Sequence, residues 1–340
     1  LSLMKNTNSN LKRLFPALTV ATFVLAAVLL AGYAGRNAAS AQDAVVATQT
    51  ASITLPSANI YALNNDNVIF VLKPGTSDFT RLVRVSGVDG NLIGLDFRPA
   101  DGSATTVYGL TDTGSLYTIN LAAPTTRTAP ALGAATLVSK AAPRFAGGVQ
   151  SLMDFNPVVN ALRLIGSNDQ NFALVNSGGN LNVTAVQTAI AYDPADVNKG
   201  VDANIAGGSY TNNFAGAANT IFYGIDYDLD TLVTISSKNA TGSSNTGGGQ
   251  LQTIGTIVNA NGGPMNLSAT ADLDIYTDAN GVNSLVGVSG RRVFTIDLSQ
   301  INPALPLGTT QKVTAKVVQM NEPGGGYIDI AIPPAARNSQ

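Results

Sequence analysis

LIGLDFRPADGSATTVYGLTDTGSLYTINL, from Leu92 to Leu121, reads as three short strands. LIGLDF, TVYGLT and SLYTINL each place apolar residues at alternate positions and are rich in Val, Ile, Tyr and Thr, the pattern of a pleated, half-buried surface. Thr111-Asp112-Thr113-Gly114 lies between the last two strands. Asp and Gly accept the positive φ that a tight hairpin turn requires, so the last two strands form a hairpin with one strand ahead of it.

The hairpin repeats. NIYALNNDNVIFVL (Asn59 to Leu72) lies on TVYGLTDTGSLYTI (Thr106 to Ile119) without a gap, with Tyr61 on Tyr108 and Phe70 on Tyr117. It returns as ALRLIGSNDQNFALVN from Ala161, TIFYGIDYDLDTLVTIS from Thr220 and SLVGVSGRRVFTIDL from Ser284. A unit of about 58 residues therefore occurs five times, somewhat longer than the 40–50 residues of a typical four-stranded propeller blade.

Four of the hairpins follow a short apolar strand with a carboxylate or amide at its middle: Leu95-Asp96-Phe97, Met153-Asp154-Phe155, Asn212-Asn213-Phe214 and Leu273-Asp274-Ile275. The first hairpin has no such strand, and Ile328-Asp329-Ile330-Ala331-Ile332 stands alone near the other end of the chain. A fourth apolar strand follows each hairpin: Arg81 to Val88, Ala135 to Val138, Leu181 to Val186, Leu251 to Val258 and Lys312 to Val318. The expected fold is all-β, a single β-propeller of five four-stranded blades, closed when the C-terminal strand completes the N-terminal blade. The alternation also suits a β-sandwich, a solenoid or another blade count. Five closed blades account for the orphan strand, which a sandwich does not require.

Composition agrees. Of 340 residues, 45% are hydrophobic and only 12% charged, and Glu322 is the only glutamate. Gly, Asn, Asp, Ser and Thr supply the polar residues, which suits turns and strand edges rather than helix surfaces. With no His and no Cys, Ser-His-Asp triads, thiol nucleophiles and Cys/His zinc sites are excluded.

The blocks GLDFRP (94–99), LMDFNP (152–157), NALRLIGS (160–167), QNFALVN (170–176) and LYTINL (116–121) resemble a family of bacterial secreted proteins known as domain of unknown function 4394. The resemblance runs from about Ser57 to Pro333. It implies propeller-like repeats and no assigned activity, so it transfers no functional residue. The sorting tail of some relatives, a hydrophobic helix with a basic end, has no counterpart in AIPPAARNSQ, which argues against surface sorting by that route.

At the amino end Lys5, Lys12 and Arg13 precede an uncharged run from Leu14 to Gly35, followed by Ala39-Ser40-Ala41. A basic region, an apolar region and small residues at a cleavage spacing make a signal peptide, residues 1–41. The alternative is an uncleaved membrane anchor, since the run is long enough to span a bilayer. Residues 42–56 read as a disordered tether, 57–333 as the propeller domain and 334–340 as a disordered tail. Removal of Lys5, Lys12, Arg13 and Arg36 would change the net charge from −2 to −6. An acidic exported protein, extracellular or periplasmic, is a poor match for nucleic acid or, after cleavage, for a membrane surface.

The sharpest candidate site is the set Asp96, Asp154, Asn213, Asp274 and Asp329, one per unit on the innermost strand. If flanking apolar residues pack between blades, these side chains converge on the channel. A hard cation such as Ca²⁺ would relieve the repulsion among the carboxylates. So would shared protons, or capping of backbone N–H groups by each carboxylate. Asp226-x-Asp228-x-Asp230 begins like a Ca²⁺-binding loop, but Thr231 and Ser237 occupy its required Gly and Glu positions; it reads as a hairpin turn with solvated carboxylates. Arg291-Arg292 reads as an exposed turn, and Gly324-Gly325-Gly326 as a flexible lead into the closing strand. The resulting expectation is a monomeric binding or scaffold protein without catalytic residues, whose loops take an unidentified protein or carbohydrate. The alternatives are a Ca²⁺-dependent hydrolase or lyase using the aspartate set, and a structural component of the envelope or matrix.

Overall fold

Each of the five hairpins turns on one residue at positive φ: Asn67 (56°), Gly114 (85°), Asp169 (65°), Asp230 (49°) and Gly290 (60°). These are the Asn, Asp and Gly residues that enter the left-handed region at least strain. The computed structural model describes residues 54–177, 180–235, 248–319 and 326–335. The expected signal peptide, most of the tether, residues 236–247, Gly324–Gly325 and the end of the tail lie outside the described residues. All described residues belong to one compact unit, Ala51–Gln340. No helix among them is long and apolar enough to cross a membrane.

The chain builds its strands in order. The first three are β1 (Ile60–Asn64), β2 (Val68–Leu72) and β3 (Thr80–Arg84). Next come β4 (Leu92–Asp96), β5 (Thr106–Thr111), β6 (Ser115–Asn120) and β7 (Ala135–Lys140). The following group is β8 (Ser151–Asn156), β9 (Ala161–Gly166), β10 (Asn171–Ser177) and β11 (Asn180–Val186). After a short β12 (Ala191–Tyr192) come β13 (Ile205–Tyr210), β14 (Phe222–Asp226), β15 (Thr231–Ile235) and β16 (Gln250–Val258). The last are β17 (Asp272–Thr277), β18 (Asn283–Ser289), β19 (Arg292–Ile296), β20 (Gln311–Gln319) and β21 (Tyr327–Ala331).

Three four-stranded antiparallel sheets have the orders β21-β1-β2-β3, β4-β5-β6-β7 and β11-β10-β9-β8. In the first, the orphan strand pairs with the first hairpin, Ala62 opposite Ile330 and Leu63 opposite Asp329. The remaining strands form two more four-stranded runs, β13 to β16 and β17 to β20, merged into one nine-stranded sheet. One pairing produces the merger and one adds the ninth strand, neither anticipated from the sequence. Strands β16 and β20 pair in parallel from Gly255–Gln311 to Val258–Thr314, and β12 adds in parallel to the start of β16.

One strand differs from its sequence reading. Asn212-Asn213-Phe214 lies in the loop after β13, and the first strand of the fourth run is Ile205–Tyr210, IAGGSY. Its glycines hide it from an apolar pattern and also explain its position. A Cβ on Gly207 would stand 2.5 Å from the Cα of Asp272, so only glycine admits β17 this close.

The core lies between successive sheets. Ile93, Tyr108 and Leu110 of the second sheet pack with Met153, Leu162 and Leu164 of the third, and β1, β2 and β21 pack against Tyr276, Val286 and Val293. Leu55, at the end of the expected tether, and Ala335, in the expected tail, pack against this last cluster. The Phe of each DF motif meets a Tyr of the preceding sheet: Tyr61 with Phe97 at 5.5 Å and Tyr108 with Phe155 at 5.1 Å. Such aromatic pairs add about 0.5–1.5 kcal/mol beyond the area they bury.

Removing Tyr327–Gln340 strips β1 of its inner partner and exposes one wall of this core. The truncated protein is expected to melt at least about 10 °C lower, or without a cooperative transition, as circular dichroism would show. An unchanged melting temperature would mean that β21 does not close the domain.

A ring of buried carboxylates

The first strands of the five runs, β4, β8, β13, β17 and β21, are joined by aspartate side chains that accept backbone N–H groups from the neighbouring first strand. Asp329 Oδ1 on β21 accepts Leu95 N of β4 at 2.9 Å. Asp96 Oδ2 on β4 accepts Phe155 N of β8 at 2.6 Å. Asp154 Oδ1 on β8 accepts Tyr210 N of β13 at 3.0 Å. Between β13 and β17, Ser209 Oγ donates to Asp274 Oδ1 at 2.9 Å and accepts Ile275 N at 3.2 Å. Asp272 bridges both sides: Oδ1 accepts Gly208 N of β13 at 3.3 Å and Oδ2 accepts Ile330 N of β21 at 3.0 Å. Asp274 Oδ2 accepts Ile332 N, just beyond β21, at 2.6 Å, and the cycle returns to its start.

Four of the five residues singled out in the sequence belong to this ring: Asp96, Asp154, Asp274 and Asp329, exposed by 2%, 4%, 2% and 1%. Asn213 does not. It follows β13, and its backbone N–H donates to Thr277 Oγ1 at 2.8 Å. Ser209 holds the place assigned to it. Asp272 is a further member that the sequence reading missed. The available signal was Asp272-Leu273-Asp274, since carboxylates two apart on a strand share a face.

Asp96, Asp154 and Asp274 each offer an oxygen within 4.8 Å of the other two. Burial raises all five carboxyls above their usual range. It pushes Asp274 up to about 6 and acts on Asp272 in the same direction. Burial also dominates at Asp96, reinforced by the charge of Asp274. At Asp154 the charges of Asp96 and Asp274 add to it, and at Asp329 those of Asp272 and Asp96. The donated N–H groups act oppositely by favouring the ionised form.

The other charged motifs are structural. Asp226 is fully buried rather than solvated; it accepts the Tyr192 hydroxyl at 2.7 Å and anchors β12. Asp230 accepts Leu267 N at 2.7 Å, while Asp228 takes the amide of Asn204 at 3.1 Å. Of the Arg291-Arg292 pair, Arg291 is exposed, but Arg292 is half-buried and donates to Met265 O at 2.9 Å. At the rim, burial acts to raise Asp89, but the hydroxyls of Ser115, Thr113 and Thr111 and the charge of Lys140 outweigh it and hold the carboxyl at about 2.

These shifts set opposite limbs of a pH profile. The raised ring carboxyls favour the fold while protonated, and that contribution is lost as pH rises from the unfolded value of 3.8 through about 6 for Asp274. Asp89 favours the fold while ionised, a contribution lost as pH falls from 3.8 toward 2. Thermal melts in EDTA are therefore expected to peak near pH 4–5 and decline toward pH 7. Stability that climbs steadily from pH 4 to 8 would contradict the raised ring.

A family model described as Domain of unknown function (DUF4394) matches residues 68–315. No curated protein matches the chain. Among solved structures, a protein of unknown function from Bacteroides thetaiotaomicron is similar at 13% identity and a TM-score of 0.42, over 83% of this chain and 66% of that one. The β-propeller domain of Cps50 (Swd1) from Myceliophteria thermophila is similar at 11% identity and a TM-score of 0.35, over 78% and 73%. Dihydro-heme d1 dehydrogenase NirN in complex with DHE is similar at 14% identity and a TM-score of 0.33, over 76% and 47%. The chain thus spans just under two thirds of the first of these structures and under half of the third.

Proposed function

The chain belongs to this family of unknown function, and we propose that it is an exported five-bladed β-propeller that binds an uncharged ligand, a protein segment or a carbohydrate, through one loop face. The five four-stranded runs and the cycle of hydrogen bonds among their first strands support the blade count. The amino-terminal pattern of basic, apolar and small residues supports export.

One observation carries the preference for binding over catalysis: every ring carboxylate accepts strand N–H or Ser209 hydroxyl donors and is at most 4% exposed. General acid–base catalysis needs a carboxyl within hydrogen-bond reach of a substrate, and these face one another in the interior. With no His or Cys in the chain, an imidazole base and a thiol nucleophile are missing as well.

The loop face at the carboxyl ends of the first strands holds a cleft of about 600 Å³, lined among others by Asn59, Tyr61, Tyr276, Asn280, Pro333 and Pro334. Among the described residues no Lys or Arg lines it. The carboxylate among them, Asp278, uses Oδ1 to accept Asn280 N at 2.9 Å and Val282 N at 2.8 Å. A wall of aromatic and proline carbon with amide groups at the rim suits a neutral, partly apolar ligand and gives an anion no counter-charge. Ala279, exposed in the lining, offers a test. Ala279→Trp fills the cleft without entering the core, so binding to an array of neutral oligosaccharides and unstructured peptides should fall at least tenfold while the melt is unchanged. Undiminished binding would move the site elsewhere.

A second reading rests on the approach of Asp96, Asp154 and Asp274 within 4.8 Å. Three carboxylate oxygens at that separation can share a hard cation such as Ca²⁺, with remaining ligands from neighbouring oxygens. A cation bound only by the folded state, at 100 times its dissociation constant, stabilises by about 2.7 kcal/mol. On this reading millimolar Ca²⁺ raises the melting temperature by several degrees over EDTA, and the Asp154→Ala, Asp274→Ala double variant abolishes the shift. Identical wild-type melts in EDTA and Ca²⁺ would leave the ring without a metal.

A further inference from the structure

Tyr61, Tyr108 and Tyr223 hold one place in the repeat, in IYALN, VYGLT and FYGID on the second strands of the first, second and fourth runs. They are buried alike, 6%, 6% and 7% exposed. A buried phenol usually finds a hydrogen-bond partner, and two of the three have one. The Tyr61 hydroxyl accepts Asn59 Nδ2 at 3.2 Å, and the Tyr108 hydroxyl donates to Asp101 Oδ2 at 2.8 Å. The Tyr223 hydroxyl has none among the described residues. The ring differs in its company as well. Phe97 and Phe155 of the following run face Tyr61 and Tyr108, whereas the equivalent residue packed near Tyr223 is the smaller Ile275.

Tyr223 lines a cavity of about 450 Å³ between the fourth and fifth runs, a volume in the range of small-molecule sites. Three amides share the lining: Asn212 and Asn219 from the loop after β13, and Asn283 at the start of β18. Groups of known polarity fix which way each amide points. Asn212 Nδ2 donates to the Asn219 carbonyl at 2.9 Å and to Asn219 Oδ1 at 2.8 Å. Asn283 Oδ1 accepts Asn212 N at 2.9 Å and the Thr277 hydroxyl at 2.7 Å, which turns Asn283 Nδ2 to Asn212 Oδ1 at 3.2 Å. An amide nitrogen carries two donors. One N–H of Asn283 and both of Asn219 therefore remain unspent among the described residues. Ile221 and Leu298 add carbon to the lining, and no charged side chain among the described residues reaches it.

We propose that this cavity binds one unit of a neutral sugar. Fixed N–H donors on Asn219 and Asn283 beside the Tyr223 hydroxyl match adjacent hydroxyls of a sugar ring, each of which both accepts and donates. The C–H face of the ring lies on Ile221 and Leu298. Burial raises the Tyr223 phenol above its ordinary range, so it stays a neutral hydroxyl, and an ionic ligand meets no counter-charge there. The site stands at the carboxyl ends of β13 and β17, on the loop face already described, but does not rest on the cleft at Tyr276. The β17–β18 turn divides the two, giving Asp278, Ala279 and Asn280 to that cleft and Asn283 to this one.

Saturation-transfer NMR titrations with millimolar glucose, galactose, mannose and N-acetylglucosamine test the site. At least one of them should bind, and Tyr223→Phe should weaken it about threefold to tenfold, the worth of one hydrogen bond. Asn219→Asp keeps the oxygen that holds Asn212 and removes the unspent donors, so it should weaken binding to a similar extent. The melt gives an independent readout. Tyr223→Phe should leave it unchanged, because the hydroxyl holds nothing in the fold, while Tyr108→Phe, which breaks the bond to Asp101, should lower it. Saturation transfer to none of the four sugars overturns the proposal. So does sugar binding that Ala279→Trp abolishes and Tyr223→Phe leaves intact, which belongs to the cleft at Tyr276. A Tyr223→Phe melt lowered like that of Tyr108→Phe overturns it too, since the hydroxyl then has its partner within the protein.

Discussion

A carboxylate removed from water needs hydrogen-bond donors, and this domain supplies them from the backbone of the adjoining first strand. First strands of neighbouring sheets do not pair as a ladder, so their inward amides would otherwise be buried without acceptors. An unsatisfied buried amide costs about 1–3 kcal/mol. Asp96, Asp154, Asp272, Asp274 and Asp329 solve both problems together, each satisfying amides that the sheets cannot. The apolar clusters between sheets supply most of the driving force, but they are non-directional. The aspartates set the position of each first strand relative to the next.

The same arrangement explains why the centre is polar yet closed. Five carboxyls in one interior repel one another, and burial and mutual charge raise their proton affinity. Opposing this, each ionised oxygen is favoured by the amides it accepts. The centre therefore holds itself between shared protons and charge.

Much of this architecture was legible in the sequence. The hairpins announce themselves through strict alternation and a turn residue able to take positive φ, and Asn67, Gly114, Asp169, Asp230 and Gly290 all do so. The closing strand was legible because Ile328–Ile332 repeats a pattern missing at the start of the chain. Where pattern failed, close approach had replaced apolar burial. In β13 the sequence IAGGSY offers backbone rather than side chains to β17, so the nearby Asn212-Asn213-Phe214 looked like the better strand. The parallel joint of β16 with β20, and the addition of β12, leave no periodic trace, since they depend on where two edges meet in space. Ser209 replaced Asn213 in the ring for the same reason: its hydroxyl is short enough to serve two strands already drawn together.

Strand β21 is made after every other strand it touches. A nascent chain shorter than this point has four complete four-stranded runs and one without its inner member, and Asp272 and Asp274 then lack the amides of Ile330 and Ile332. Contacts between distant parts of a chain form slowly, because the loop entropy is lost before any contact compensates it. The closed fold therefore waits on the synthesis of β21, and a chain that stops before it keeps an open strand edge. The ring ties the closure of the centre to the arrival of this one strand.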